Sequence, residues 1–114
     1  MHLKEMMEEI GKLVKAKGHG NHPIFVPIKL LNASSEIGEV ASKWRKGLPK
    51  EDVAEEIIDI FFMCLDAWRL YCPELDPDKV FKDKLYKNWN RKDKYGFKGV
   101  EEWKKLLEEY KSEQ

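Results

Sequence analysis

The sequence contains few cysteines and no arrangement of them that would cross-link the chain. Its two cysteines, Cys64 and Cys72, lie eight residues apart and do not form a Cys-x-x-Cys pair. Disulfide-rich secreted domains and structural zinc sites need more cysteines at paired spacings, so neither class is expected. Unpaired cysteines are typical of a reducing compartment, and we therefore expect a cytoplasmic protein.

The chain also lacks an excess of either charge. Lysine plus arginine and aspartate plus glutamate both number 21, which gives a formal net charge of zero. Proteins that bind a nucleic acid polymer offset its phosphate charge with a basic surface, so no such partner is expected. A local acidic pocket remains compatible with this balance.

Long hydrophobic segments are absent as well. The longest apolar run, 57–65, is interrupted by Asp59 and is much shorter than the roughly 20 residues that cross a bilayer. Residues 1–18 carry charges throughout and do not resemble a secretory signal. The sequence therefore predicts neither a membrane segment nor export.

The sequence is rich in charged residues, and its apolar residues recur between them at helical spacing. Charged residues make up 37% and apolar residues 42% of the chain, a combination typical of amphipathic helices. Apolar positions three and four residues apart, bounded by glycine and proline, predict five helices. Their predicted ranges are 3–17, 28–46, 49–71, 77–91 and 100–111, with loops at 18–27 and 92–99.

These elements predict an all-α protein with one domain, 1–114. The expected fold is an antiparallel four-helix-type bundle with an additional C-terminal helix. The third helix is apolar on nearly every side, so it should lie at the centre of the bundle or in a subunit interface. Asp76, followed by Pro77, should cap the fourth helix. A chain of this length buries a modest core, and completion by oligomerisation is expected.

Four carboxylates occupy matching positions on the second and third predicted helices. Glu36 and Glu39 are three residues apart on one, and Glu56 and Asp59 are three apart on the next. Residues at this spacing share a helix face, and a short connection folds the two helices back antiparallel, so the four side chains can converge. An all-oxygen ligand set suits Mg²⁺, Mn²⁺ or Ca²⁺, and such a cation offsets the repulsion between the acids.

Two other interpretations of these acids stay open. The first is a solvated acidic face, which applies most readily to Glu36 and Glu39. It explains Asp59 less easily, because apolar residues flank Asp59 and acids are seldom buried without a partner. The second is a di-iron centre, which needs a Glu-x-x-His motif on two helices. It is disfavoured because all three histidines lie within residues 2–22, outside both helices.

The combined amino-acid sequence of these helices resembles that of a known enzyme superfamily. Glu36-x-x-Glu39 and Glu56-x-x-Asp59 stand within PIKLLNASSEIGEVASKWRKG and EDVAEEIIDIFFMCLDAW, and KDKLYKNWNRK follows. This pattern, over roughly residues 23–92, is similar to the MazG-like all-α nucleoside triphosphate pyrophosphatases, which include the dimeric dUTPases and the dCTP pyrophosphatases. The chain carries one copy of the motif set, unlike the tandem members, and its C-terminal tail lies outside the match.

The resemblance implies an activity and a ligand set. Members hydrolyse a nucleoside triphosphate, or sometimes a diphosphate, to the monophosphate, and Mg²⁺ held by the four acids binds the phosphates. Glu36, Glu39, Glu56 and Asp59 would be the metal ligands, and Glu36 or Glu39 would also act as the base that orients the attacking water. Members act as homodimers or as tetramers built from dimers.

Substrate contacts are implied by the resemblance as well. Lys84 and Asn88 match a lysine and an asparagine that members carry after the second acidic motif, and Arg91 lies one turn further on. These side chains would contact phosphate and sugar, with a solvated basic face as the alternative. Trp44 and His22 are candidates for contacts with the base. The alternatives are that Trp44 is a core aromatic and that His22 is a solvated loop histidine.

Two further hypotheses remain beside the enzyme. One is a metal-free helical interaction module, which predicts no stabilisation by Mg²⁺. The other is a superfamily member that binds nucleotide without cleaving it, which the presence of all four acids does not favour. The preferred base and sugar do not follow from the sequence.

Overall fold

The computed structural model describes residues 1–18, 20–90 and 100–112, and every regular element in those ranges is helical. This confirms the prediction of an all-α protein. Five α-helices follow one another along the chain: α1 (Leu3–Lys17), α2 (Val26–Arg45), α3 (Lys50–Tyr71), α4 (Pro77–Asn90) and α5 (Val100–Ser112).

The chain divides into two compact units. The first, Met1–Phe81, contains α1 to α3 and the start of α4, and the second, Lys82–Gln114, contains the rest of α4 and α5. In the first unit α3 packs against both α1 and α2, which confirms its predicted central position. The buried apolar residues of this unit are few: Met7, Ile10, Ala33, Leu65, Ala67 and Cys72.

Helix α2 begins two residues earlier than predicted, at Val26. Pro27 lies in its first turn, where backbone N–H groups have no acceptor within the helix and a proline therefore costs little. The preceding residues Pro23–Phe25, expected as loop, form a 3₁₀ turn. Gly47, with a φ of 73°, lets the chain turn sharply after α2, and the short connection makes α2 and α3 antiparallel.

The N-terminus of α1 is capped by a side chain from α4. Asp78 accepts hydrogen bonds from the backbone N–H groups of Leu3 (Oδ1, 3.0 Å) and Lys4 (Oδ2, 3.2 Å). Asp76 in turn accepts the backbone N–H of Asp78 at 3.0 Å, which confirms its predicted capping role. Asp78 thus satisfies two of the free N–H groups at the start of α1 and ties that helix to α4.

Replacing Asp78 with alanine should therefore destabilise the first unit. Loss of a side-chain cap lowers the free energy of unfolding by about 1 kcal/mol, which corresponds to a fall of about 4–8 °C in the thermal midpoint. Circular dichroism during heating measures this shift. Asp83→Ala, which removes an exposed carboxylate from the same helix, is the control, and equal shifts in the two variants would contradict the capping role.

Candidate functional site

The interface between α2 and α3 is polar at three successive levels. On α2, Lys29, Glu36 and Lys43 are seven residues apart, a spacing that keeps them on one face of the helix. Lys29 is ion-paired with Asp66 of α3, and Lys43 with Glu56 of α3. Glu36 therefore lies between two interhelical ion pairs.

Glu36, Glu39 and Glu56 come together at this level, and we refer to them as the acid cluster. Glu36 is half-buried, and its Oε2 atom is buried with no hydrogen-bond donor among the described residues. Its electrostatic neighbours are Glu39, one turn along α2, and Glu56 on α3. Three of the four carboxylates predicted to converge are thus neighbours in the structure.

The members of the acid cluster have different proton affinities. Burial, followed by the charges of Glu39 and Glu56, raises the pKa of Glu36 above its ordinary value. The hydrogen bond from Lys43 lowers the pKa of Glu56 and raises that of Lys43 itself. Opposite shifts in neighbouring carboxyls make Glu36 the stronger base of the two and Glu56 the stronger acid.

Glu36→Gln should raise the thermal stability of the metal-free protein at neutral pH. Because the pKa of Glu36 in the folded protein lies above its ordinary value of 4.5, the folded chain binds this proton more tightly than the unfolded chain. The stability of the wild type therefore falls as the pH rises from the ordinary pKa through the raised one. In the presence of a chelator, the variant should melt a few degrees above the wild type near pH 7, and the gap should close near pH 4.

Glu55→Gln, at an exposed position of α3, is the control for this titration. It removes one carboxylate from the same helical pair without touching the buried oxygen. Its midpoint should track that of the wild type across the pH range. A Glu36→Gln variant less stable than the wild type at neutral pH would show that the carboxylate stabilises the fold instead.

Asp59 is placed differently from the other three acids. Its side chain is exposed and borders a small surface pocket with Glu55 and Ile58. The apolar residues on either side of Asp59 in the sequence suggested that its side chain is poorly solvated. That expectation is wrong, because Ile57 and Ile58 are themselves about half exposed. The spacing of three residues places Asp59 about one turn from Glu56 along α3.

The chemical type of the donors in the acid cluster, and not their arrangement in this structure, suits a hard divalent cation. Its ligands would all be carboxylate oxygens, and the Oε2 atom of Glu36 has no protein donor in the described part of the chain. Across the described ranges, no three His, Cys, Asp or Glu side chains stand ready-arranged as metal ligands. The ammonium group of Lys43 lies among the glutamates and supplies positive charge there.

The other predicted site residues are distributed over both units. Trp44, in the last turn of α2, is 46% exposed and is not a core aromatic. His22 is exposed, and its Nδ1 atom accepts a backbone hydrogen bond within the 3₁₀ turn. Lys84 and Asn88 are exposed, one turn apart, on the part of α4 that belongs to the second unit. Arg91 lies outside the described residues.

Sequence reasoning missed a second polar cluster, formed by Lys29, Asp66, Arg69 and Asn21, which we call the Asp66 network. Asp66 is buried, and the side chains of Lys29 and Arg69 are 16% and 14% exposed. Arg69 donates to Oδ1 of Asp66 from Nη2 (2.6 Å) and Nε (3.0 Å), and to Oδ1 of Asn21 from Nη1 (2.7 Å). The sequence offered one signal of this cluster, namely an acidic residue, Asp66, within the apolar stretch of the third predicted helix.

Two glycines make room for the Asp66 network. A Cβ atom on Gly11 of α1 would lie 2.9 Å from Cδ of Arg69, and one on Gly20 would lie 3.0 Å from Nζ of Lys29. Gly20 also has a φ of 69°, which favours glycine. The network therefore brings α1, the connection before α2, α2 and α3 together at one end of the first unit.

Comparisons of the chain with family models, with curated proteins and with solved structures found no match. Among the described helices, none combines the length and the apolar character needed to cross a membrane.

An apolar groove of ≈ 520 Å³ lies on another side of the α2–α3 pair. Leu30 of α2 and Cys64, Trp68 and Tyr71 of α3 are among its lining residues. Helical geometry places Leu30 on the opposite edge of α2 from Glu39, so the groove is separate from the acid cluster.

Seven-residue spacing extends this groove into a longer surface, which we call the apolar face. It comprises one series on each helix: Leu30, Ile37 and Trp44 on α2, and Ile57, Cys64 and Tyr71 on α3. The five large side chains of these two series are between 46% and 76% exposed. Both series therefore present large apolar side chains to solvent.

Proposed function

We propose that this chain is a cytoplasmic, Mg²⁺-dependent nucleoside triphosphate pyrophosphohydrolase, which converts an NTP or dNTP and water to the monophosphate and pyrophosphate. The observation that carries the proposal is the grouping of Glu36, Glu39 and Glu56 around a buried oxygen that no protein group hydrogen-bonds in the described chain. Clustered carboxylates repel one another, and a divalent cation offsets that repulsion. Removal of surplus or noncanonical nucleotides is the corresponding cellular role.

The acid cluster, with Asp59 about one turn from Glu56 along α3, would hold the Mg²⁺, and Mn²⁺ shares the same preference for oxygen ligands. When bound, the metal supplies positive charge for the phosphates and lowers the pKa of water. Glu36 or Glu39 would orient the attacking water as the base. The raised pKa of Glu36 favours that residue, because a carboxylate with a higher proton affinity is the stronger base.

Substrate contacts are assigned to residues outside the acid cluster. Lys84 and Arg91 would offset phosphate charge, and Asn88 would donate a hydrogen bond to a phosphate or sugar oxygen. The exposure of Lys84 and Asn88 on α4 is compatible with this role. Trp44 keeps part of its ring accessible for stacking on a base, and His22 is the second candidate for a base contact.

Product analysis tests the proposed reaction directly. The protein is incubated with Mg²⁺ and a panel of canonical and modified NTPs and dNTPs, and the products are separated by chromatography. Monophosphate and pyrophosphate in equal amounts support the proposal, and the relative rates rank the bases and sugars. Release of inorganic phosphate with a diphosphate product would assign a different reaction, and no turnover with any substrate would contradict the proposal.

We further infer that a second copy of the chain covers the apolar face, giving a homodimer or a tetramer built from dimers. Two series of side chains at seven-residue spacing are what helices need to pack against another helical pair, and a two-fold partner presents the same two series. The small core of the first unit supports this inference, because burial of the apolar face would add to it.

Ile57→Lys should dissociate this assembly, because a charge would be buried in the interface. Light scattering after gel filtration should show the mass of the variant falling from that of an oligomer to that of one chain. Ile58→Lys is a matched control, since Ile58 is the next residue, is 50% exposed against 52% for Ile57, and lies outside the seven-residue series. Equal masses for the wild type and Ile57→Lys would contradict the interface.

Two observations favour a second candidate function, a metal-free helical interaction module. Lys43 already supplies a counter-ion to the acid cluster, and the apolar face is suited to a partner. This candidate predicts that millimolar Mg²⁺ leaves the thermal midpoint unchanged, whereas a bound metal raises it by mass action. A nucleotide-binding protein without turnover would be stabilised by Mg²⁺ and nucleotide together but would form no product.

A further inference from the structure

Lys43 of α2 is ion-paired with Glu56, a member of the acid cluster. Its ammonium group pairs with Glu56 and also interacts with the charges of Glu39 and Glu36. One lysine therefore neutralises part of the charge of three carboxylates. Neither the acidic motifs nor the substrate contacts assigned above give this residue a role.

Lys43 and Lys29 face α3 in different surroundings. The side chain of Lys29 is 16% exposed and is confined by Asp66 and by the backbone at Gly20. The side chain of Lys43 is 36% exposed, and its partner Glu56 is 25% exposed. A four-carbon stem with an open route to solvent lets the ammonium of Lys43 leave its partner without disturbing the packing of α2 on α3.

The oxygen atoms that Lys43 neutralises are the ones a divalent cation would need. A carboxylate oxygen that accepts a hydrogen bond from an ammonium group is not available as an unhindered metal ligand, and two cations at one site repel each other. A lysine with one charge only partly offsets three carboxylates, whereas a divalent cation offsets them further.

We propose that Lys43 is the protein's own counter-ion for the acid cluster and competes with the divalent cation for it. In the metal-free protein the ammonium group holds Glu36, Glu39 and Glu56 together, and binding of the cation displaces it toward solvent. The inference rests on the metal site of the proposed function. It makes Lys43 a residue that weakens metal binding while stabilising the metal-free fold.

The test compares wild type, Lys43→Met and Lys46→Met by calorimetric titration with Mn²⁺ in the absence of nucleotide. Lys43→Met should bind Mn²⁺ about three- to tenfold more tightly, because no ammonium group has to be displaced. Its thermal midpoint should be lower than that of the wild type in a chelator, and the difference should shrink in excess Mn²⁺. Lys46→Met removes an equal charge from an exposed position three residues away and should bind like the wild type.

The outcomes separate this inference from the proposed function. Metal binding by the wild type with equal or weaker binding by Lys43→Met would overturn the role of Lys43 alone. Absence of metal binding in every variant would overturn the metal site and the inference with it. If Lys43→Met does not fold, the displacement of Lys43 is tested in the wild type by the rate at which each lysine is acetylated, measured by mass spectrometry. Lys43 should react faster with Mn²⁺ than with a chelator while Lys29 stays protected, and an unchanged rate at Lys43 would refute its displacement.

Discussion

Glu56→Gln should lower the turnover of a nucleoside triphosphate by about a hundred- to a thousandfold while the helical fold persists. The substitution keeps the shape of the side chain but removes a charge from the acid cluster. Loss of one preorganised electrostatic group at a site of developing charge has effects of this size. The fold should survive because Glu56 is only half-buried and its ion pair with Lys43 is partly exposed, where such pairs contribute little to stability.

Glu55→Gln is the matched control for this variant. It makes the same change at the preceding residue, whose side chain is exposed and is not part of the acid cluster. Both variants should keep the wild-type circular dichroism, and only Glu56→Gln should lose activity in the product assay. Full activity in Glu56→Gln would remove Glu56 from the metal site. Loss of helical signal in Glu56→Gln would show that the carboxylate serves the fold.

Asp66→Ala should destabilise the protein by about 3–5 kcal/mol, the usual cost of removing one partner from a buried ion pair. Asp66 is buried and accepts hydrogen bonds from Lys29 and from two nitrogen atoms of Arg69. Without it, two cations with little exposure face each other unpaired. The thermal midpoint should fall by about 10–20 °C, a large share of the stability of a small domain.

Asp59→Ala is the control for the Asp66 network, since Asp59 lies seven residues earlier on the same helix and is exposed. It should change the thermal midpoint little, as surface substitutions usually do. The thermal midpoint of Asp66→Asn should lie between those of Asp66→Ala and Asp59→Ala. Its amide oxygen still accepts a hydrogen bond, but Lys29 and Arg69 lose their counter-charge. Similar midpoints for Asp66→Ala and Asp59→Ala would mean that the Asp66 network does not stabilise the fold.

The helices could be predicted because their determinants are local. Apolar spacing, the cap at Asp76 and the glycine after α2 act within a few residues, and each matches the structure closely. The largest differences concern the start of α2 at Val26 and the 3₁₀ turn before it. They arise because Pro27 is as compatible with the first turn of a helix as with a loop.

The acid cluster was predictable in part. A spacing of three puts each acidic pair on one face of its helix, and the short connection puts the two pairs at similar heights. Whether the two faces meet depends on the rotation of α2 against α3, which the spacing does not give. The exposure of Asp59 was not predictable from its apolar neighbours, because those neighbours are themselves exposed in the described unit. Burial depends on which face of α3 its partners cover, and local pattern does not contain that information.

By itself, the sequence determined the all-α class, the order and approximate limits of the helices, and the helix faces that carry the acids. Only the tertiary structure decided the partners: Lys43 on Glu56, Asp66 between Lys29 and Arg69, and Asp78 on the start of α1. The reason is physical. Helix formation depends on neighbours three and four residues away. The pairs that join different helices, Lys43 with Glu56, Lys29 with Asp66 and Leu3 with Asp78, are 13 to 75 positions apart and depend on how one helix is rotated and shifted against the next.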